Sequence, residues 1–474
     1  WVLLFPLALL MAILLAVGLL VGTEAGSRWV LGKVPGLQLE ALSGRLGGRW
    51  QADGLVWEQD SRRVEVASPQ MSWSPSCLLR KTLCIEELVT GDIDLQFPPA
   101  DEEETASEPF KLPEFDLPLE LRIERVDIGA VNLNGVQQLQ GAELQADWDE
   151  QGLAIRSLKV RRDDVVLELA GRLLTRADWP LALGGTVAIR SPNAQPWALK
   201  FEVDGELREH LMVDVQSQGY LDAKLSGWVR PLEPDVPANL LLALEDFKAA
   251  PELPDALRLE ALELTVKGNM EQGYRLDGNG SLQGEGGAVA VALNGLVDKV
   301  HAEIEAFSLD AGEQQGVDLS GAVSWQDGLD AEAQLAWRNF PWRRLYPDIE
   351  EPPVALRTLD AQIQYDDGNY LGNFNAALTG PSGDFTLQSP VSGNLEVVHL
   401  PQLELRAGQG RAEGNLSVGF SDGVDWTTRL KLSEFDPSYW VAELPGQIGG
   451  TLSSSGALRN ENLQAEAALD LNGT

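Results

Sequence analysis

The residues able to do chemistry are few and scattered. His210, His301 and His399 lie far apart, each in or beside an alternating segment, with no ligand-spaced partner. They read as strand or surface histidines. Adjacent acids occur at Asp163-Asp164 and Asp366-Asp367, and paired carboxylates are what glycoside hydrolysis needs. With 72 acidic residues in the chain, however, no such pair stands out. Gly284-Glu285-Gly286-Gly287 is a turn without the Lys-Ser/Thr of a phosphate-binding loop. No nucleophile elbow is found. The two cysteines, Cys77 and Cys84, have no histidine nearby and cannot make a four-ligand zinc site. Their close spacing beside an apolar amino-terminal run suggests a disulfide formed in an oxidising compartment, with two free buried thiols as the alternative. So short a stapled loop shapes the chain locally more than it stabilises it. The tryptophans suit strand faces and turns better than a carbohydrate stack. Neither an enzyme, a metal centre nor a cofactor is expected.

What positions these residues is a chain of two very unequal parts. Trp1–Gly22 is continuously apolar, and about 20 such residues in a helix cover a bilayer core of about 30 Å. A signal peptide has a shorter apolar centre, and Thr23-Glu24-Ala25-Gly26-Ser27 makes a poor cleavage site, so a retained transmembrane anchor is the preferred reading. Everything beyond is acidic, and the net charge is −36. That charge repels phosphate backbones and excludes nucleic acid as a partner. It also keeps the outer surface solvated. No Pro- or Ser-rich linker interrupts the chain after residue 120, which favours one elongated body over several globules.

From about residue 36 the pattern alternates in twos, with turn residues between segments, as in an all-β protein. In Leu262-Glu263-Leu264-Thr265-Val266-Lys267 every second residue is apolar, and Leu329 to Trp337, including Leu335, follows the same rule. So do Leu121 with Ile123, Val165 with Leu167 and Leu169, Leu403 with Leu405, and Leu430 with Leu432. Successive strand side chains point to opposite faces, so each segment has an oily face and a wet one. Ala288 to Leu293, which contains Val289, Val291 and Leu293, is apolar on both faces and predicts cover on both sides. A short helix is expected near Ser27–Lys33. The proline- and acid-rich run from Phe97 through Pro109 cannot pair in a sheet and reads as a disordered excursion.

A long repeat is also present. Gly227, Gly321 and Gly414 follow one another at roughly 94 and 93 residues, and Phe247, Phe340 and Phe435 at roughly 93 and 95, the mark of a repeat array.

Together these features resemble the amino-terminal region of the TamB family. The resemblance rests on the anchor followed by Trp29 and Val34-Pro35-Gly36-Leu37, then Ser43-Gly44-Arg45-Leu46-Gly47-Gly48-Arg49-Trp50. It continues through the paired-cysteine element Cys77 to Leu88, the acidic excursion and Leu119-Glu120-Leu121-Arg122-Ile123. It covers residues 1 to about 135 by motif and the remainder by pattern. It implies an AsmA-like, single-pass protein of the Gram-negative inner membrane with its body in the periplasm. It implies a β-sheet curled lengthwise into a trough, or β-taco, with an apolar interior. The implied partners are phospholipids and a TamA-like, BamA-related outer-membrane barrel. TamB-like proteins continue into a further carboxy-terminal domain, so a fragment is expected. The expected divisions are an anchor at 1–22, a membrane-proximal entrance with the disulfide at 23–96, the excursion at 97–118 and a repeating trough at 119–474.

A trough suits lipid for a simple reason. Each CH₂ exposed to water costs about 0.8 kcal/mol, so two chains of about 16 carbons cost about 25 kcal/mol, and the lining must be continuous. About 30–40 strands at roughly 4.8 Å would extend on the order of 150 Å. The residues expected to line the route are the alternating apolar ones named above. Two rivals stand beside this reading. One is a scaffold that receives unfolded outer-membrane proteins by β-augmentation. The other is a parallel β-helix acting in adhesion or on polysaccharide, which would show coils of about 20–25 residues.

Overall fold

Residues 19–59, 61–98, 118–192, 194–248, 250, 252–326, 328–421, 423–440, 442–444, 446–459 and 462–471 are described by the computed structural model. The expected anchor and acidic excursion lie almost wholly outside them. Among the described residues no helix is long and apolar enough to cross a membrane. The chain divides into two units, Trp1–Pro237 and Ala238–Thr474. No such division was expected within 119–474.

After helical residues 19–22, unit one has the helix Glu24–Leu31, slightly earlier than the expected Ser27–Lys33. The Thr23 hydroxyl caps it by accepting from Gly26 N at 3.1 Å. The Ser27 hydroxyl, fully buried, donates to Thr23 O and accepts from Leu46 N at 2.9 Å, which ties the helix to the loop before the strand Arg49–Gln51. Strands then build two sheets. The smaller has six strands, from Leu37–Glu40 to Val136–Leu139. The larger runs through Gln70–Ser74, Thr82–Thr90 and Glu120–Ile128, then through consecutive hairpins to Ala223–Val229. Thr82–Thr90 and Glu120–Ile128 pair in parallel. Parallel neighbours need a long crossover, and the chain supplies one by diverting Ile93–Gln96 into the smaller sheet. Neither the smaller sheet nor the parallel pairing was legible in the sequence.

Unit two runs from Ala238–Phe247 to Asn462–Leu471, each strand pairing antiparallel with the next. A parallel β-helix would stack parallel coils, so that rival is overturned for the described residues.

The repeat has a geometric meaning here. Asp246, Asn339 and Glu434 all adopt the left-handed backbone conformation, with φ of 54°, 44° and 47°. Each precedes one of the repeated phenylalanines. A residue in this conformation breaks the strict alternation and shifts the side-chain phase by one. Arg338 therefore faces the wet side, yet Phe340 turns back to the oily one and packs with Val289 and Leu345. Likewise Phe247 pairs with Leu259, and Phe435 with Ile448. After each phenylalanine comes a 3₁₀ turn: Asp255–Leu257, Trp342–Arg344 and Pro437–Tyr439. Six strands separate one such turn from the next. An even number is required, because only then does an antiparallel ladder return to the same edge with the same chain direction.

These turns close one edge of the sheet. Val289, Phe340 and Leu345 are buried together, flanked by Leu282, Leu309, Trp337 and Trp342. At the third turn Trp440 stacks on Phe435 at 5.1 Å and leans on Phe385 at 4.8 Å. A Cβ at Gly380 would collide with the Tyr439 carbonyl, so this glycine lets the turn sit down on the hairpin.

Two outcomes are expected. Phe340→Ala should destabilise unit two by about 3–5 kcal/mol, read by chemical denaturation, because it empties a sealed cluster. Asp436 caps the third turn by accepting from Ser438 N, and these hydrogen bonds hold its carboxyl below the ordinary aspartate range. A depressed folded pKa gives stability that is present above the unfolded value and lost as pH falls through the folded one. Hydrogen exchange at 380–385 and 437–440, corrected for intrinsic rate, should therefore rise only as pH drops below about 3.9.

Candidate functional site

The site is a face. Cross-strand partners in a ladder share a face, so the register can be followed sideways from strand to strand. In unit two one row passes from Leu244 through Leu262, Gly280, Val291, Leu309, Val317 and Trp337. It continues through Leu359, Ala376, Leu387, Leu405, Ala412 and Leu432 to Gly450. Every position is apolar or glycine. A second row, two residues along each strand, runs from Leu242 through Leu264, Gly278, Leu293, Phe307, Leu319 and Leu335 to Ala361 and Phe374. It meets Ser389 at an irregular stretch of the ladder beside Pro390 and Pro401, then resumes at Leu403, Gly414, Leu430, Leu452 and Leu469.

Unit one shows the same design. One row links Trp50, Met71, Leu88, Val126, Leu144 and Leu158 with Leu169, Gly185, Phe201, Val215 and Leu225. Leu121 pairs with Trp148, Ile123 with Ala146, Leu167 with Val187 and Val165 with Ile189, all on that face. At two glycines on the oily face an aromatic ring fills the gap. Phe201 covers Gly185 and Trp426 covers Gly456.

Within each unit the expected lining residues therefore share a face. Leu121, Ile123, Val165, Leu167, Leu169, Leu262, Leu264, Val266, Val291, Leu293, Leu335, Leu403, Leu405 and Leu430 are half-buried there. Two differ from expectation. Val289 is fully buried in the Phe340 cluster and Leu432 is 5 % exposed, so neither presents a surface to a guest. The expected double cover of Ala288–Leu293 is also corrected: Ala290 is exposed, because the small alanines there occupy the wet face.

The opposite face is ionic and amide-rich. In unit two Asp360, Asn375, Gln388, Glu404, Glu413 and Lys431 form one row. The Arg406 guanidinium, helped by Gln388 and Arg411, holds the Glu404 carboxyl below the usual range. Cross-strand pairs such as Lys159–Glu168 at 2.6 Å and Arg338–Asp360 at 2.6 Å lie in water. Each contributes about 0–1 kcal/mol, so they mark the solvated side more than they hold the sheet.

The residues considered for chemistry remain apart. His399 shares a hydrogen bond with Ser417 across the exposed face, and no carboxylate among the described residues orients that ring. Asp178, Glu206 and Glu209 bring carboxylates within 4.8 Å of one another at the surface, a crowding that an acidic chain produces without a metal. Cys77 and Cys84 are joined by a disulfide that closes the 3₁₀ turn Pro75–Arg80.

In each unit a nearly all-antiparallel ladder with one oily face and one ionised face defines a class of protein that displays an apolar surface along its strands. The family comparison agrees. The model described as TamB, N-terminal domain, matches residues 13–111, 101–352 and 345–474, and the chain belongs to the TamB family. No solved structure matches it.

Replacing both cysteines with serine should lower the stability of unit one by no more than about 2–3 kcal/mol, the entropy of so short a loop. Unit two should keep its denaturation midpoint, measured by segment-resolved hydrogen exchange.

Proposed function

We propose that the oily face carries the acyl chains of phospholipids, and that the chain acts without catalysis as part of a lipid route between the inner and outer membranes. The observation that carries this reading is the lateral continuity of the apolar rows, strand after strand, in each unit. A lipid held by its tails would lose about 0.8 kcal/mol for each CH₂ left over a polar gap. The register leaves few such gaps. Half-burial of the row leucines also supports it: a closed sandwich would bury them fully, as Val289 is buried. On this reading each sheet curls about its oily face, and in unit two the 3₁₀ turns close one margin of the resulting trough.

Membership of the TamB family supports attachment to the inner membrane through residues 1–22, a periplasmic body and a TamA-like barrel as partner in outer-membrane biogenesis. The scaffold rival gains less support. Strands within the ladders are hydrogen-bonded on both sides, which leaves their backbones nothing to offer an incoming client strand.

Native mass spectrometry of the purified chain should show co-purifying phospholipid. Leu264→Arg and Leu167→Asp place charge in the lining of either unit and should reduce that lipid about ten-fold or more while the chain remains folded. Lipid retained at wild-type levels in both variants would sink the proposal.

A further inference from the structure

We infer that the disulfide-closed turn Pro75–Cys84 is a membrane-docking finger, with Leu78 and Leu79 entering the bilayer interface and Arg80 and Lys81 facing anionic headgroups. The inference rests on the membrane-attached reading above for its proximity to a bilayer. Large apolar side chains at the tip of a turn normally fold back onto the protein. Here Leu79 is 90 % exposed and Leu78 41 % exposed. They are followed directly by two cations in a chain of net charge −36, and the turn contains no acid. Among the described residues neither Arg80 nor Lys81 forms an ion pair. An apolar tip backed by cations matches the depth profile of a membrane surface, with hydrocarbon beneath anionic headgroups.

The turn is held for this task. The disulfide fixes its base. Lys81 ends it in the left-handed conformation, and Lys81 O accepts from Glu120 N at 2.8 Å, locking the exit to the neighbouring strand. The entering strand is anchored by Trp73, whose indole donates to Leu46 O at 2.5 Å. Leu46 N in turn donates to Ser27 Oγ, and Gly47 N donates to Val21 O at 2.6 Å. A continuous set of hydrogen bonds thus connects the finger to the foot of the expected span. Behind it lies a cleft of about 460 Å³ lined by Arg80, Lys81, Glu120, Asp149, Glu150 and Arg176. Carrying both signs, the cleft suits the phosphate and ammonium of a zwitterionic headgroup. The oily face starts immediately inside it, at Leu83, Leu121 and Trp148.

The test uses the full chain in nanodiscs of phosphatidylethanolamine and phosphatidylglycerol, with a diazirine amino acid at position 79 or, as a control, at Leu395, which is 86 % exposed in unit two. Uptake into the discs is read first, so failure of the anchor is separable from failure of the finger. Cross-linking to lipid is expected at 79 and not at 395. Arg80→Glu and Lys81→Glu should each lower the yield at 79 about five-fold, the effect of about 1 kcal/mol per cation at an anionic surface. Lipid adducts at 79 no more frequent than at 395, or a yield unchanged by both charge reversals, would overturn the inference. Lipid co-purification in the same preparations reports separately on the conduit.

Discussion

Everything in this protein depends on the backbone hydrogen bonds that fix how each strand lies against the next. The pleat has a period of two, so a slip of one residue would move a strand's whole apolar set to the opposite face. In a globular domain a misplaced strand disturbs one core. Here it would break the lateral continuity of the apolar rows, on which the proposed lipid route depends, because the cost of exposed hydrocarbon rises with every gap. Register is thus the structural constraint and, under the proposed function, the functional one as well.

The departures from regular pairing serve that constraint. Asp246, Asn339 and Glu434 each break the alternation with one left-handed residue, and the following phenylalanine consequently meets the oily face where ordinary counting would send it to water. Asn and Asp tolerate this conformation better than most side chains, whereas at Glu434 it is held by the surrounding ladder. The phenylalanine and the 3₁₀ turn after it cover the sheet's edge with aromatic surface, and the six-strand interval brings each cover back to the same edge. Two glycines on the oily face, Gly185 and Gly456, are covered by Phe201 and Trp426. The wet face tolerates far more variation, since exposed ion pairs contribute little individually.

The amino-terminal part of unit one is built on different terms. Its smaller sheet, parallel crossover and stapled turn depend on contacts between segments distant in sequence, with Trp73 reaching Leu46 and Leu46 reaching Ser27. A chain with net charge −36 gathers cations at the tip of this region, beside its most exposed leucine on that turn. Overall charge therefore describes the solubility of the body and says little about a local basic corner such as this one.

The sequence by itself determined what a local pattern can encode. Alternation in segments such as Leu262 to Val266 placed strands and assigned relative faces, because the pleat makes side-chain direction a property of a few adjacent residues. Cysteine spacing and the Gly–Phe periodicity were legible for the same reason. Tertiary structure alone decided which faces of separate strands coincide, since that depends on bulges and on partners tens of residues away. It also decided that Val289 is sealed by Phe340 and Leu345, that Ala290 faces water, and that Leu79 is left uncovered. An apolar side chain reads the same in sequence whether it fills a core, lines a surface or protrudes; only its neighbours in space distinguish the three.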